Sequence, residues 1–97
     1  MNFEVGDQIY KIRYILDNST KSFHKEIDRT ILYKIGSINE ETYGNWNDGY
    51  CRLFIATLIP FINGEWVKTE YSVDGYVIYY MVYGETGHVF AYKVEGS

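Results

Sequence analysis

Apolar and polar residues alternate along residues 8–16, near the start of the chain. On an extended backbone, one side would carry four large apolar residues: Tyr10, Ile12, Tyr14 and Leu16. The other side would carry Ile9, Lys11, Arg13 and Ile15. A period of two residues is typical of a half-buried strand, so the pattern predicts a first strand here. The Asp-Asn-Ser-Thr run that follows predicts the turn that ends it.

The next segment, residues 20–38, is compatible with two structures. Four apolar residues recur at every fourth position: Phe23, Ile27, Ile31 and Ile35. In a helix, Leu32 would join that face and Gly36 would be a suitable C-terminus. Alternation and β-branched content favour a strand instead. We interpret residues 27–38 as a second strand that forms a hairpin with the first, and retain a short helix within residues 20–35 as the alternative.

The rest of the chain has the pattern of an antiparallel meander. Four further strands are predicted, over residues 50–61, 65–73, 76–83 and 88–95. The dipeptides Asn63-Gly64 and Asp74-Gly75 predict type I′ hairpin turns, because both central residues of that turn need positive φ. Pro60 has no amide proton, so we expect it at an edge or a bulge.

Two polar, turn-rich stretches separate these strands. The longer one, residues 39–49, is predicted to be a loop that carries the aromatic residues Tyr43 and Trp46. Loops contribute binding residues more often than the scaffold does. The shorter one, residues 84–87, contains two glycines and is predicted to be a wider turn before the last strand.

These elements predict a mainly β fold in a single domain over residues 1–97. We expect five or six antiparallel strands in a small barrel or a strongly bent meander sheet, with at most one short helix. The opening run from Val5 to Tyr10 resembles the first strand of SH3-like barrels. That resemblance implies a barrel, and no functional residue is carried over from it.

Two of the predicted strands are apolar on both sides, which a half-exposed antiparallel strand should not be. The third strand has Phe54, Ala56 and Leu58 on one side and Leu53, Ile55, Ile59 and Phe61 on the other. The fifth has Tyr76, Ile78, Tyr80 and Val82 against Val77, Tyr79, Met81 and Tyr83. The second side is therefore covered by the same chain, by another copy in a homo-oligomer, or by another macromolecule.

The charge of the chain is negative and uneven. The net charge is −4, and residues 35–97 contain three bases against eight acids. The acid excess either serves solubility or steers the chain toward a basic partner. It also repels phosphate, so nucleic acid is not an expected partner. A weak nucleic-acid-binding β-barrel stays a lesser alternative, through a basic-aromatic platform of Lys11 and Arg13 with Arg29 or Lys34 beside them.

The sequence contains little that points to catalysis. His24 and His88 are the two histidines and Cys51 is the single cysteine. No spacing typical of a metal site occurs. We therefore expect no enzyme, no cofactor and no metal, and a buried, structural Cys51. A lone cysteine, the lack of a signal-peptide pattern and the lack of a long apolar run predict a cytoplasmic protein without a membrane segment.

The combination favours a non-enzymatic binding module. The chain is short, acidic and tyrosine-rich, with eleven Tyr in 97 residues. Inhibitors, immunity proteins and anti-defence proteins, which occlude or sequester a macromolecular partner, share this profile. The predicted partner-binding residues are Tyr43, Trp46, Glu40, Glu41 and Asp48, followed by Trp66 and Tyr71. The alternative is a homo-oligomer that binds a small, nucleotide-like metabolite between its subunits.

Overall fold

A computed structural model describes residues 2–45, 49–68 and 72–95. Within these ranges the chain forms seven strands: β1 Gln8–Asp17, β2 Ser22–Asn45, β3 Gly49–Ile62, β4 Glu65–Trp66, β5 Val73–Val82, β6 Glu85–Val89 and β7 Ala91–Lys93. All paired strands are antiparallel, and the described residues contain no helix. The mainly β fold is thus confirmed, as is the strand over residues 27–38, which lies within β2; the alternative of a helix within residues 20–35 was wrong.

The sheet is nearly closed into a barrel. Its strand order is β6-β5-β3-β2-β1-β7, so the two end strands are neighbours in the sequence. Phe90 joins them: its amide donates to the carbonyl of Ile78 in β5, and its carbonyl accepts from the amide of Ile12 in β1. The last segment of the chain therefore pairs with β5 first and with β1 after the bend.

The barrel interior holds the main core. Ile9, Ile35, Leu58 and Ile78 are fully buried, and Tyr33, Ala56 and Ala91 pack with them. At one end, the rings of Phe3, Tyr79 and Phe54 stack in sequence, with centroid distances of 5.8 and 4.4 Å. The N-terminal segment is held by buried Asp7, whose carboxylate accepts from the amide of Glu4 and lies 3.2 Å from the Lys93 ammonium.

We call two hairpins of this sheet its arms. The first arm comprises residues 11–17 of β1 and 22–28 of β2, and the second arm comprises residues 39–45 of β2 and 49–55 of β3. Between the arms, β2 changes its partner from β1 to β3 near Tyr33 and Lys34. Between Asp28 and Tyr33, β2 has more residues than the stretch of β1 that it faces. The Asp28 carboxylate accepts hydrogen bonds there from the amide and hydroxyl of Thr30.

The prediction of a loop over residues 39–49 was wrong for most of its length. Residues 39–45 continue β2 and pair with β3 as far as Asn45 opposite Gly49. One polar side chain of this stretch is bound across the strands, because Arg52 contacts Glu40 at 2.6 Å; just before the stretch, Ser37 donates to Thr57. Pairing with an adjacent strand therefore overrides the turn-like composition.

The predicted turns had mixed outcomes. Asn63 and Gly64 have φ values of 53° and 79° and join β3 to β4 as a two-residue hairpin, as predicted. The turn at Asp74-Gly75 was wrong, because this dipeptide lies within β5 at an irregularity opposite Thr57. In place of the wider turn over residues 84–87, a two-residue turn joins β5 to β6.

Two strand predictions also changed. The predicted strand over residues 65–73 is reduced to Glu65–Trp66 among the described residues. The predicted last strand over residues 88–95 is divided by the bend at Phe90. Pro60 is buried in β3, beyond Leu58, which forms the last pair with β5. Its carbonyl accepts a hydrogen bond from the amide of Val67.

Candidate functional site: the outer face of the second arm

The two sides of β3 have different surroundings. Directly paired residues of antiparallel strands share a face, so the register assigns each side chain to the inside or the outside of the barrel. The even-numbered residues of β3, among them the buried Ala56 and Leu58, face inward. The odd-numbered residues Cys51, Leu53 and Ile55 face outward and are only partly buried.

A bulge in β5 sets which of its residues join the outer face. Phe54 pairs with Tyr79 and Ile55 pairs with Val77, so Ile78 is an extra residue between them. Tyr79 and Met81 consequently face inward, and Tyr80 and Val82 face outward. The sequence pattern alone had grouped Tyr80 and Val82 with buried Ile78, because a strict alternation does not allow for a bulge.

Two rows of paired residues cross the outside of the second arm. The first row runs Tyr43, Cys51, Val82 and Glu85, and the second runs Glu41, Leu53 and Tyr80. We call these seven residues the acidic-rimmed face. Its centre is apolar, and a carboxylate stands on either side, Glu41 on β2 and Glu85 on β6. Both acids are exposed.

The apolar part of this surface is accessible to a partner. Tyr43 is 53% exposed and Val82 is 38% exposed, while the adjacent turn residue Tyr83 is 75% exposed. A depression of about 260 Å³ lies at this end of the arm, lined by Tyr43, Gly44, Gly49, Tyr50, Cys51 and Val82. Tyr83 packs across Gly49, where a side chain on the glycine would overlap the phenol.

The electrostatics of the face are negative. The Tyr43 hydroxyl donates to the Glu41 carboxylate, and this hydrogen bond raises the pKa of Tyr43 above its usual value. The nearest cation of the arm, Arg52, lies on the opposite face and binds Glu40 there. That hydrogen bond from Arg52 lowers the pKa of Glu40. The guanidinium of Arg52 therefore neutralises Glu40, whereas the acids of the acidic-rimmed face have no cation in their two rows.

The predicted partner-binding residues are only partly brought together. Glu41 and Tyr43 lie on the acidic-rimmed face, whereas Glu40 lies on the other side of the same strand. Trp66 packs 4.7 Å from the ring of Phe61 and under the Lys34 ammonium, at the far end of β3. Three predicted residues, Trp46, Asp48 and Tyr71, lie outside the described residues.

Several residues of the face were not among the predicted site residues: Cys51, Leu53, Tyr80, Val82 and Glu85. The signal that could have found them was present, because the third and fifth predicted strands were apolar on both sides. What the sequence lacked was the register that aligns them. The expectation of a buried Cys51 was also wrong, since its residue is partly exposed and lines the depression.

The groups able to do chemistry are dispersed. His24 lies in the first arm opposite Ile15, whereas Cys51 lies in the second arm. His88 packs 4.6 Å from the ring of Tyr14, in a cluster that includes Tyr80 and Phe90. Within the described ranges, no group of three or more His, Cys, Asp or Glu could hold a metal ion.

Of the four bases considered for a nucleic-acid platform, Lys11 and Arg13 share a face of β1, where each lies opposite an acid of β2. Lys11 lies over the inward-facing rings of Tyr33 and Tyr76, at 4.8 and 5.0 Å. Arg13 pairs with Glu26 at 2.9 Å. Arg29 lies between the rings of Tyr10 and Tyr92 and Lys34 lies over Trp66, each in a separate place.

Comparison with known proteins gives no match: no family model, no curated protein and no solved structure is significantly similar to this chain. Across residues 2–45, 49–68 and 72–95, no helix has the length and apolar character to cross a membrane.

Proposed function

We propose that this protein is a non-enzymatic binding module that occludes or sequesters a basic macromolecular partner, of the kind seen among inhibitors, immunity proteins and anti-defence proteins. The partner docks on the acidic-rimmed face. The observation that carries the proposal is the row Tyr43, Cys51 and Val82, an apolar stripe across three strands with an exposed carboxylate on each side.

The shape of the surface supports a macromolecular partner. The depression, about 260 Å³, is open and lies below the range of roughly 300–1,000 Å³ that is usual for small-molecule sites. It is large enough for one anchoring side chain of a partner. Interfaces of this kind derive most of their affinity from a few anchors that are surrounded by a polar rim.

The charge of the surface supports a basic partner. Glu41 and Glu85 flank the stripe, and the whole chain has a net charge of −4. Rim carboxylates accelerate the encounter with a positively charged surface and disfavour acidic competitors. The association rate should therefore fall as the salt concentration rises.

The proposal is tested by retention of proteins from a lysate of the native cells on the immobilised chain. Val82→Asp places a charge in the centre of the stripe, and Thr42→Asp places the same charge on the opposite face of the arm as a matched control. We expect a basic protein to be retained by the wild type and by Thr42→Asp. Val82→Asp should reduce its retention at least about tenfold.

Titration of the purified retained protein against each variant then gives the dissociation constants. Glu85→Gln should slow association and reduce its salt dependence, with little change in dissociation. Equal affinity of the wild type and Val82→Asp, with both variants folded by circular dichroism, would overturn the proposal. So would the absence of any retained protein.

A further inference from the structure

The tip of the first arm carries an exposed apolar pair. Leu16 and Phe23 are paired across the arm and share its outer face with Tyr14 and Lys25. Leu16 is 47% exposed and Phe23 is 67% exposed. Large apolar side chains at the end of a hairpin, without cover from their own chain, are typical of a contact surface.

The charges of this tip are positive on the side where the apolar pair lies. Lys25 stands beside Phe23 on the same face, and the exposed Lys21 lies in the turn. The acids Glu26 and Asp28 lie on the opposite face, where Glu26 binds Arg13. Asp17 accepts hydrogen bonds from the amide and hydroxyl of Ser19 within the turn, and its residue also belongs to the opposite face.

The two arms thus present complementary outer faces. Among the described residues, the outer face of the first arm has two exposed apolar side chains with a lysine and without an acid. The outer face of the second has an apolar stripe with two glutamates and without a base. The depression between Tyr43 and Val82 has room for one large apolar side chain, and Phe23 is the most exposed phenylalanine among the described residues.

From this complementarity we infer that the chain associates with a second copy of itself, through the tip of the first arm of one copy and the acidic-rimmed face of the other. Phe23 enters the depression, and Lys25 lies near Glu41 or Glu85. The inference rests on the proposed function, because the second copy uses the same face as the proposed partner. Each copy has both surfaces, so the contact joins unlike surfaces of the two copies.

Sedimentation and light scattering of the purified chain alone, over a concentration series, test the inference. The wild type should pass from monomer to a larger species as its concentration rises. Phe23→Ser and Val82→Asp should each weaken self-association at least about tenfold. Val5→Ser, which changes an equally exposed apolar residue outside both arms, is the matched control and should associate like the wild type.

Mixing the two weakened variants gives the decisive result. Phe23→Ser retains an intact acidic-rimmed face and Val82→Asp retains an intact tip, so a mixture should form a one-to-one complex that neither variant forms alone. Lys25→Glu should also weaken self-association, and Lys25→Glu combined with Glu85→Lys should restore part of it, since the pair is reversed in sign.

The outcomes separate this inference from the proposed function. A wild type that stays monomeric at every concentration, or a Phe23→Ser variant that associates like the wild type, overturns self-association. In either case, a lysate protein that is retained through Val82 would still support the binding module. Failure of the mixture to form a complex overturns the specific pairing of tip and face.

Discussion

The hydroxyl of Tyr76 donates a 2.6 Å hydrogen bond to the carbonyl oxygen of Phe90. Phe90 lies at the bend where the chain stops pairing with β5 and begins to pair with β1. The same carbonyl accepts from the amide of Ile12. At the residue before Phe90, the Tyr14 hydroxyl donates to the carbonyl of Val89. Two phenols therefore complete the closure of the barrel where the backbone ladder of β1 and β7 ends.

The first prediction concerns this closure. Tyr76→Phe should lower the free energy of unfolding by about 1 kcal/mol, because one partly buried hydrogen bond is lost while Phe90 keeps its bond from Ile12. Denaturant unfolding measures the change. Tyr92→Phe is the matched control: its ring stays over Arg29, and the hydrogen bonds that close the barrel come from the hydroxyls of Tyr76 and Tyr14. Equal stabilities of the two variants would contradict the prediction.

The second prediction concerns alkaline pH. Burial, the largest cause, raises the pKa of Tyr76 from 10.0 to about 12. The folded state thus keeps a proton that the unfolded state loses, so this contribution to stability is complete below pH 10 and is lost as the pH rises toward 12.

Unfolding measurements across that pH range provide the test. The stability of the wild type should fall more steeply with pH than that of Tyr76→Phe, which lacks the titrating group. Because Tyr43 and Tyr79 also have raised pKa values and remain in both proteins, the difference between the slopes isolates Tyr76. Parallel slopes would show that Tyr76 titrates alike in both states.

Local signals in the sequence were sufficient for some elements and insufficient for others. Asn63-Gly64 and Asp74-Gly75 look alike as dipeptides, yet the first forms a hairpin turn and the second an irregularity within β5. The difference lies in what the flanking residues pair with. Glu65 returns to pair with Ile62, whereas Tyr76 continues beside Ala56.

The candidate site was predictable only as a two-sided apolar pattern. Which residues align across strands depends on the bulge at Ile78 in β5 and on the irregularity near Gly36 in β2. A shift of one residue moves every later side chain to the other face. The exposed pair of Leu16 and Phe23 was likewise hidden, since an apolar residue in a strand pattern is expected to be buried.

The third prediction concerns the contact between Tyr80 and Gly87. The Tyr80 ring occupies the space that a side chain at position 87 would need. Gly87→Ala should therefore cost about 1–3 kcal/mol of stability by overpacking and should displace Tyr80 from its cluster with His88. Near-ultraviolet circular dichroism, which reports the environment of aromatic rings, should change together with the stability.

A double-mutant cycle provides the control for this contact. In a Tyr80→Ala background the ring is absent, so the added methyl group of Gly87→Ala should have little effect on the free energy of unfolding. If Gly87→Ala costs the same with and without the ring, the cost comes from the backbone of β6 and the overlap with Tyr80 is not its cause.

The last prediction separates stability from binding along a single strand. Ile78 is fully buried inside the barrel, whereas Val82 is 38% exposed on the outer face. Ile78→Ala should lower the free energy of unfolding by about 2–5 kcal/mol through the cavity that it leaves. Val82→Ala should change it by no more than about 0.5 kcal/mol. Both values come from the same denaturant measurement, and comparable losses at the two positions would mean that Val82 is part of the folding core. In that case the outer face would serve the fold of the chain itself, and its apolar residues would no longer indicate a surface kept for a partner.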